Sequence, residues 1–273
     1  VNNEVVNRGV EVKQMQFEAG KLGSRSVIDV VVRGTDIGTV SESVTIRPTE
    51  VDLLWEAKTY TPPFYKGKAL PSSDAEITIT AIPQFVTSNG NNLKSSDLVF
   101  TWKENGKVLG RDSGRGRDTI EITGPRIFNS TLIQVKVSSL GGTLHGKGFA
   151  QIFTVQPKIV FYKNDTILGM RYENAIKDTL TLSDKEINIT AHPYFFSGSR
   201  RVSSDFDYSW SVDGSSVPSS PDDESSIVLR QIGEGEGSAA VSLSIQSIDK
   251  ILQVAREGFS VLFGASKDTP FNF

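Results

Sequence analysis

The sequence predicts an all-β fold in which β-sandwich domains follow one another end to end along the chain. Two observations carry this reading. A block of sequence returns about one domain-length later, and the segments between turn signals alternate apolar with polar residues, as half-buried strands do. Ser95 to Leu109, SSDLVFTWKENGKVL, is echoed by Ser203 to Val217, SSDFDYSWSVDGSSV, with Trp102 and Trp210 standing 108 residues apart. EITITAIPQFV from Glu76 matches EINITAHPYFF from Glu186 at a spacing of 110, and VTIRP from Val44 matches FTVQP from Phe153 at 109. Three blocks in one order at nearly one spacing define a repeat, and the small drift is what loop insertions produce.

Carried backwards, the same register sets VNNEVV at Val1 on ENGKVL at Glu104 and SVIDVVVRG at Ser26 on TLIQVKVSS at Thr131. The chain is therefore expected to begin inside an earlier copy, as a fragment of a longer precursor, with residues 1–48 supplying the C-terminal half of a truncated repeat. Complete copies are expected over 49–157 and 158–264, with a tail or linker at 265–273. The 273-residue length agrees with two full copies and a part, each large enough for a core of its own.

In order, the first piece predicts strands at Val10 to Phe17, Val27 to Arg33 and Thr39 to Arg47. The middle one is continuously apolar and is expected to be central in its sheet. In the last, Val40, Val44 and Ile46 alternate with polar residues. Pro48 and the Gln156, Pro157, Lys158 junction leave two or three residues between copies, one of them locked in φ, which predicts stiff joints.

The first full copy predicts about seven strands, the number a sandwich needs: Val51 to Lys58, Glu76 to Ile82, Leu98 to Lys103, Lys107 to Leu109, Asp118 to Thr123, Leu132 to Ser138 and Lys147 to Val155. Ile77 and Ile79 are expected in the core, as are Phe100 and Trp102. Asn105 and Gly106 signal a tight hairpin, matched by Asp213 and Gly214. The second copy repeats the plan with Ile187, Ile189, Tyr208 and Trp210 in the matching places.

FTWKENG and YSWSVDG, an aromatic-x-Trp strand followed by a turn, resemble the Ig-like and PKD-like repeats of bacterial or archaeal cell-surface proteins. Both lack the aspartate-rich FGDG continuation of PKD domains. The resemblance implies an Ig-like sandwich with its Trp between the sheets. It also implies an extracellular or cell-surface location and neighbouring repeats of the same protein as partners.

Composition narrows the chemistry. A net charge of −3 and no cysteine give no basic footprint for nucleic acid, no polybasic face for membrane contact, and no disulfides, thiol nucleophiles or thiolate metal sites. No apolar run approaches the roughly 20 residues that span a bilayer.

GGTLHGKG, Gly141 to Gly148, satisfies G-x-x-x-x-G-K. It offers Gly148 where a phosphate loop needs Ser or Thr, and it lies between strands with no following helix, so it reads as a hairpin loop. RDSGRG at Arg111 would need a histidine near Ser113. Only His145 and His192 exist, and His192, before a proline at a strand end, reads as structural or surface. Asp213, Asp222, Asp223 and Glu224 lack the ligand spacing of a calcium loop. A cross-link from lysine to asparagine or aspartate would need a buried acid that no spacing singles out. Sequons stand at Asn129, Asn164 and Asn188, the last facing outward from the Ile187/Ile189 side.

No catalytic residue, metal ligand or cofactor is therefore expected. Ligand contact, if any, is assigned to end loops at Ser88 to Ser96, Gly110 to Arg117, Ser197 to Ser204 and Ser215 to Ser226. The contact residues expected are Arg111, Arg115 and Arg117, suited to an acidic glycan or phosphate, and Trp55, which the next copy lacks. The functional expectation is a non-catalytic structural or adhesive spacer of a larger cell-surface protein. The alternatives are a carbohydrate- or protein-binding module, or accessory domains of an enzyme whose catalytic part lies elsewhere.

Overall fold

The structure, a computed structural model, describes residues 7–264 except 11–13, 17, 19, 22–23, 35–37, 88, 183, 199, 202–204 and 234. Within them the chain is built of strands and one 3-10 turn at Ser95–Asp97. The strands are β1 (Ser26–Gly34), β2 (Gly38–Ile46), β3 (Glu50–Ala57), β4 (Glu76–Gln84), β5 (Leu98–Glu104), β6 (Lys107–Val108), β7 (Gly114–Arg115), β8 (Thr119–Thr123), β9 (Ser130–Ser139) and β10 (His145–Phe153). They continue as β11 (Lys158–Asp165), β12 (Gly169–Ile176), β13 (Thr179–Thr181), β14 (Glu186–Tyr194), β15 (Phe206–Val212), β16 (Ser215–Val217), β17 (Ser226–Arg230), β18 (Gly237–Ser247) and β19 (Val254–Phe263).

The sheets bear out tandem all-β sandwiches. One pairs β1 with β2. A three-stranded sheet β3-β4-β8 and a five-stranded sheet β10-β9-β5-β6, with β7 beside β5, form the next layers; β12-β11-β14-β17 and β13-β19-β18-β15-β16 form the last. By compactness the described residues divide into unit 1, within 1–54, 79–120 and 132–151, and unit 2, within 55–78, 121–131 and 152–273.

In unit 1, β1 and β2 form an antiparallel ribbon with Ile28 opposite Val44 and Val32 opposite Val40. Directly opposed residues share a face, so Ile28, Val30, Val32, Val40 and Val44 line one side of it. Among the described residues β2 is the one ladder neighbour of β1, so there the strand does not take the central place its composition suggested. Apolar content reports that a strand has faces to bury but says nothing of how many strands flank it. The strand expected over Val10 to Phe17 falls partly outside the described residues; Val10 and 14–16 are exposed and unpaired in any ladder.

The rest of unit 1 follows the alternation. Leu98, Phe100 and Trp102 of β5 are fully buried, as are Ile133, Val135 and Val137 of β9 and Ile79 of β4. Trp102 Nε1 donates to the Arg117 carbonyl at 2.8 Å, which satisfies the one polar atom of a buried indole. The Asn105–Gly106 hairpin has φ of 48° and 85°, the left-handed pair of a type I′ turn.

Unit 2 holds a second core. Ile159, Phe161, Ile187, Ile189, Phe206, Trp210, Leu243, Phe259 and Val261 belong to one buried cluster. Phe161 packs against Trp210 and Phe259 at centroid distances of 5.8 and 4.9 Å. Trp210 Nε1 reaches the Glu224 carbonyl at 3.0 Å, and Asp213–Gly214 repeat the left-handed turn with φ of 49° and 77°. Tyr208 is half-buried at the edge of this cluster, its hydroxyl donating to the Arg201 carbonyl.

The same unit includes an extended seam. The Tyr60 amide donates to the Phe196 carbonyl at 2.8 Å, Phe195 returns a bond to the Tyr60 carbonyl at 2.8 Å, and the Gly198 amide reaches the Lys58 carbonyl at 3.2 Å. Gln253, fully buried, donates from Nε2 to the Ser73 carbonyl and Ser197 Oγ, both at 2.7 Å, while its Oε1 accepts the Ser197 amide at 2.8 Å. A buried amide is tolerated where both its ends are bonded in this way.

Candidate functional site

Trp55 lies on the inward-facing parity of β3, with Val51 and Leu53, and is half-buried. Lys68 Nζ stands 3.0 Å above its ring, a cation–π contact that covers that face, and burial lowers the pKa of this lysine. Arg111, Arg115 and Arg117 are exposed, Arg115 in the two-residue strand β7 and the others in the loop segments on either side of it. Arg115 Nε donates to the Ser96 carbonyl at 2.6 Å and its guanidinium lies 3.9 Å from Asp97, so this arginine ties its loop to the 3-10 turn.

The near-motifs resolve into packing. Ser113 Oγ accepts the Trp102 amide at 2.9 Å and donates to the Leu109 carbonyl at 2.7 Å, which occupies it as a brace. The GGTLHGKG stretch is hairpin loop only up to Leu144; from His145 it is strand β10. A Cβ on Gly148 would sit 2.6 Å from the Val51 carbonyl, and one on Gly146 2.8 Å from the Val51 side chain, so these glycines permit close approach of β3.

Asp213 Oδ1 caps the Ala240 amide at 2.8 Å. Asp223 takes an ion pair from Arg201 at 2.6 Å and hydrogen bonds from Ser225 and Ser226 at 2.6 and 2.8 Å. Burial pushes its pKa up, but these donors outweigh burial and hold it below the usual carboxylate range. Among the described residues no group of three or more His, Asp or Glu side chains could hold a metal ion. Asn188 faces away from Ile187 and Ile189, yet its Oδ1 is buried without a partner, so the outward reading holds for parity and fails for exposure.

Two features were not visible in the sequence. A groove of about 730 Å³ in unit 2 is lined by Glu56, Lys58, Glu76, Asp205, Asp249 and Lys250, among others. Lys58 is held 2.8 Å from Glu121 and 3.3 Å from Glu76, and the hydrogen bonds to Glu121 and Glu76 raise its pKa. Lys250 Nζ is bonded to the Asp74 carbonyl at 2.6 Å. With both ammonium groups engaged, the groove presents carboxylates and hydroxyls.

The second feature is an aromatic cage. His192, 1% exposed within β14, has Nδ1 2.6 Å from the Tyr60 hydroxyl and an Nε2 that is buried without a partner. Tyr162 and Tyr172 meet its ring edge-on at 5.4 and 5.3 Å, and the Tyr162 and Tyr194 hydroxyls bond each other at 2.8 Å. Burial, assisted by the Arg201 charge and opposed by Asp223, pushes the imidazole down to about 3. The one sequence signal was a mismatch between copies: His192 stands where EITITAIPQ has Ile82.

No protein-family model matches the chain, and no curated protein matches it. Similar solved structures include the three N-terminal domains of the bacteriophage RB49 highly immunogenic outer capsid protein, with 13% identity over 79% of this chain and a TM-score of 0.39. The fibronectin(III)-like modules of Clostridium thermocellum CbhA match at 11% identity over 81% of this chain and all of theirs, with a TM-score of 0.26. Zebrafish RET cadherin-like domains 1 to 4 match at 11% over 88% of this chain and 58% of theirs, with a TM-score of 0.29. The chain spans 59% of the length of the phage protein structure. At these TM-scores the fold assignment rests on the strand order and cores described above.

Proposed function

We propose that this chain is a non-catalytic structural or adhesive segment of a larger cell-surface protein, in which successive Ig-like sandwiches act as a spacer. The observation that carries this reading is the seam in unit 2. Residues 55–78 are stitched to 193–198 and 250–253 by backbone bonds and by the doubly bonded Gln253 amide. If copies meet at 157 and 158, these bonds fasten one copy to the next, which suits a connector that carries tension. Neighbouring repeats are then its partners, and the location is extracellular.

The polar groove favours a second reading, a binding module for carbohydrate or a protein ligand, since hydroxyls and carboxylates such as Thr59, Ser197 and Asp249 converge there. Pulling the chain from its ends, together with a glycan-array screen of the same protein, separates the two. Stepwise cooperative unfolding under force with no glycan retained supports the spacer. A glycan bound at micromolar concentration and lost in Asp249→Ala would move the assignment to the groove. Protease treatment of intact source cells tests location, and full protection of the chain would exclude the surface reading.

A further inference from the structure

We infer that His192 is an acid-released latch that fastens the Lys58–Tyr60 segment to strand β14. Tyr60 and His192 are joined through Nδ1 across 132 residues of sequence, and their rings stack at 5.9 Å. Flanking this contact, the segment's backbone bonds to Phe195, Phe196 and Gly198 close the seam. The matched position of the earlier copy is Ile82, so strand β4 forms with an aliphatic side chain there.

The cage accepts a neutral imidazole and refuses an imidazolium. A charged ring has two N–H donors, and only Nδ1 has a partner, the Tyr60 oxygen; Nε2 is buried and unpaired. The charged and titratable groups facing it are Tyr60 from the segment, Tyr162 from β11, Tyr172 from β12, and Arg201 and Asp223 from the loops flanking β15 and β17. Arg201 opposes a second cation. Asp223 would favour one, but its oxygens already serve Arg201, Ser225 and Ser226. A proton can be accommodated only if the segment lifts and water reaches the ring.

The direction follows from linkage. Closed, the imidazole titrates at about 3 against an ordinary value of 6.5. Above that ordinary value both states are neutral and the latch is at full strength. As pH falls through 6.5 towards 3, the open state binds a proton that the closed state does not, which favours opening by about tenfold per pH unit.

The test is amide hydrogen exchange on the full chain, corrected for intrinsic rates, at pH 7.5, 6.5 and 4.5. Protection of Tyr60, Phe195 and Gly198 is expected to fall by about 50-fold between pH 6.5 and 4.5, relative to core amides of unit 1 such as Val135, and the fall should vanish in His192→Ile. Equal pH dependence in that variant, or a wild-type seam with no pH dependence, overturns the proposal. Should the variant not fold, the side-chain 15N shifts of His192 in the unaltered chain decide. A ring that stays neutral at pH 5 supports the latch, and one that charges near pH 6.5 while the seam remains protected refutes it.

Discussion

Trp102 and Trp210 occupy matching places and commit their indole N–H in the same way, to a carbonyl 15 and 14 residues further along the chain. Each is thus both a filler of apolar volume and a clamp on the loop that follows its hairpin. Trp102→Ala and Trp210→Ala should each cost about 3–5 kcal/mol, because a large cavity opens and a carbonyl loses its donor. Urea unfolding of the two variants measures this, and a loss below about 1 kcal/mol would mean that the indole is not part of the packed core. At this scale the sequence read core positions well and polar edges poorly. The pairs Ile77/Ile79 and Ile187/Ile189 are buried as their alternation predicts. Tyr208, expected to match Phe100, stays half-buried because its hydroxyl is drawn to the Arg201 carbonyl.

Strands and turns were legible wherever a local signal sets them. The Asn105–Gly106 and Asp213–Gly214 turns adopt the same left-handed pair, and in both the first side chain accepts an amide from the neighbouring strand, that of Leu132 in β9 or Ala240 in β18. Asn105→Asp and Asp213→Asn should therefore change stability by no more than about 0.5 kcal/mol, since Oδ1 is retained. Gly106→Ala and Gly214→Ala should each cost about 1 kcal/mol or more at their positive φ. Thermal unfolding of the four variants checks the contrast; equal losses would remove the turn from the account of hairpin formation. β7, two residues long, left no periodicity to read. The cage was hidden for a different reason. Parity puts Asn188, Thr190 and His192 on the outer face of β14, yet Thr190 and His192 are buried, covered by Ser226 and Tyr60. Residues 36 and 132 positions away supply that cover, and no window along a single strand contains them.

For the molecule as a whole, this buried histidine sets how stability answers to acid. The chain has two histidines, the side chain whose ordinary titration falls between pH 5 and 8. His192 is held neutral when folded, so the unfolded chain binds the extra proton and stability falls as pH drops below 6.5. Carboxylates work in a lower window. Asp223, Asp165 and Glu173 are all depressed, so their contribution is complete above the ordinary carboxylate range and is lost only as pH falls further. Between pH 6.5 and 5 the slope therefore belongs to the histidine, at up to about 1.4 kcal/mol per pH unit for one proton. Denaturant unfolding at pH 7.5, 6.5 and 5.0 should show a plateau followed by this decline, and His192→Ile should flatten it. A wild-type profile already flat to pH 5 would mean that the imidazole gains its proton inside the fold, and the cage would then have to accommodate a charge that its single hydrogen-bond acceptor leaves half-satisfied.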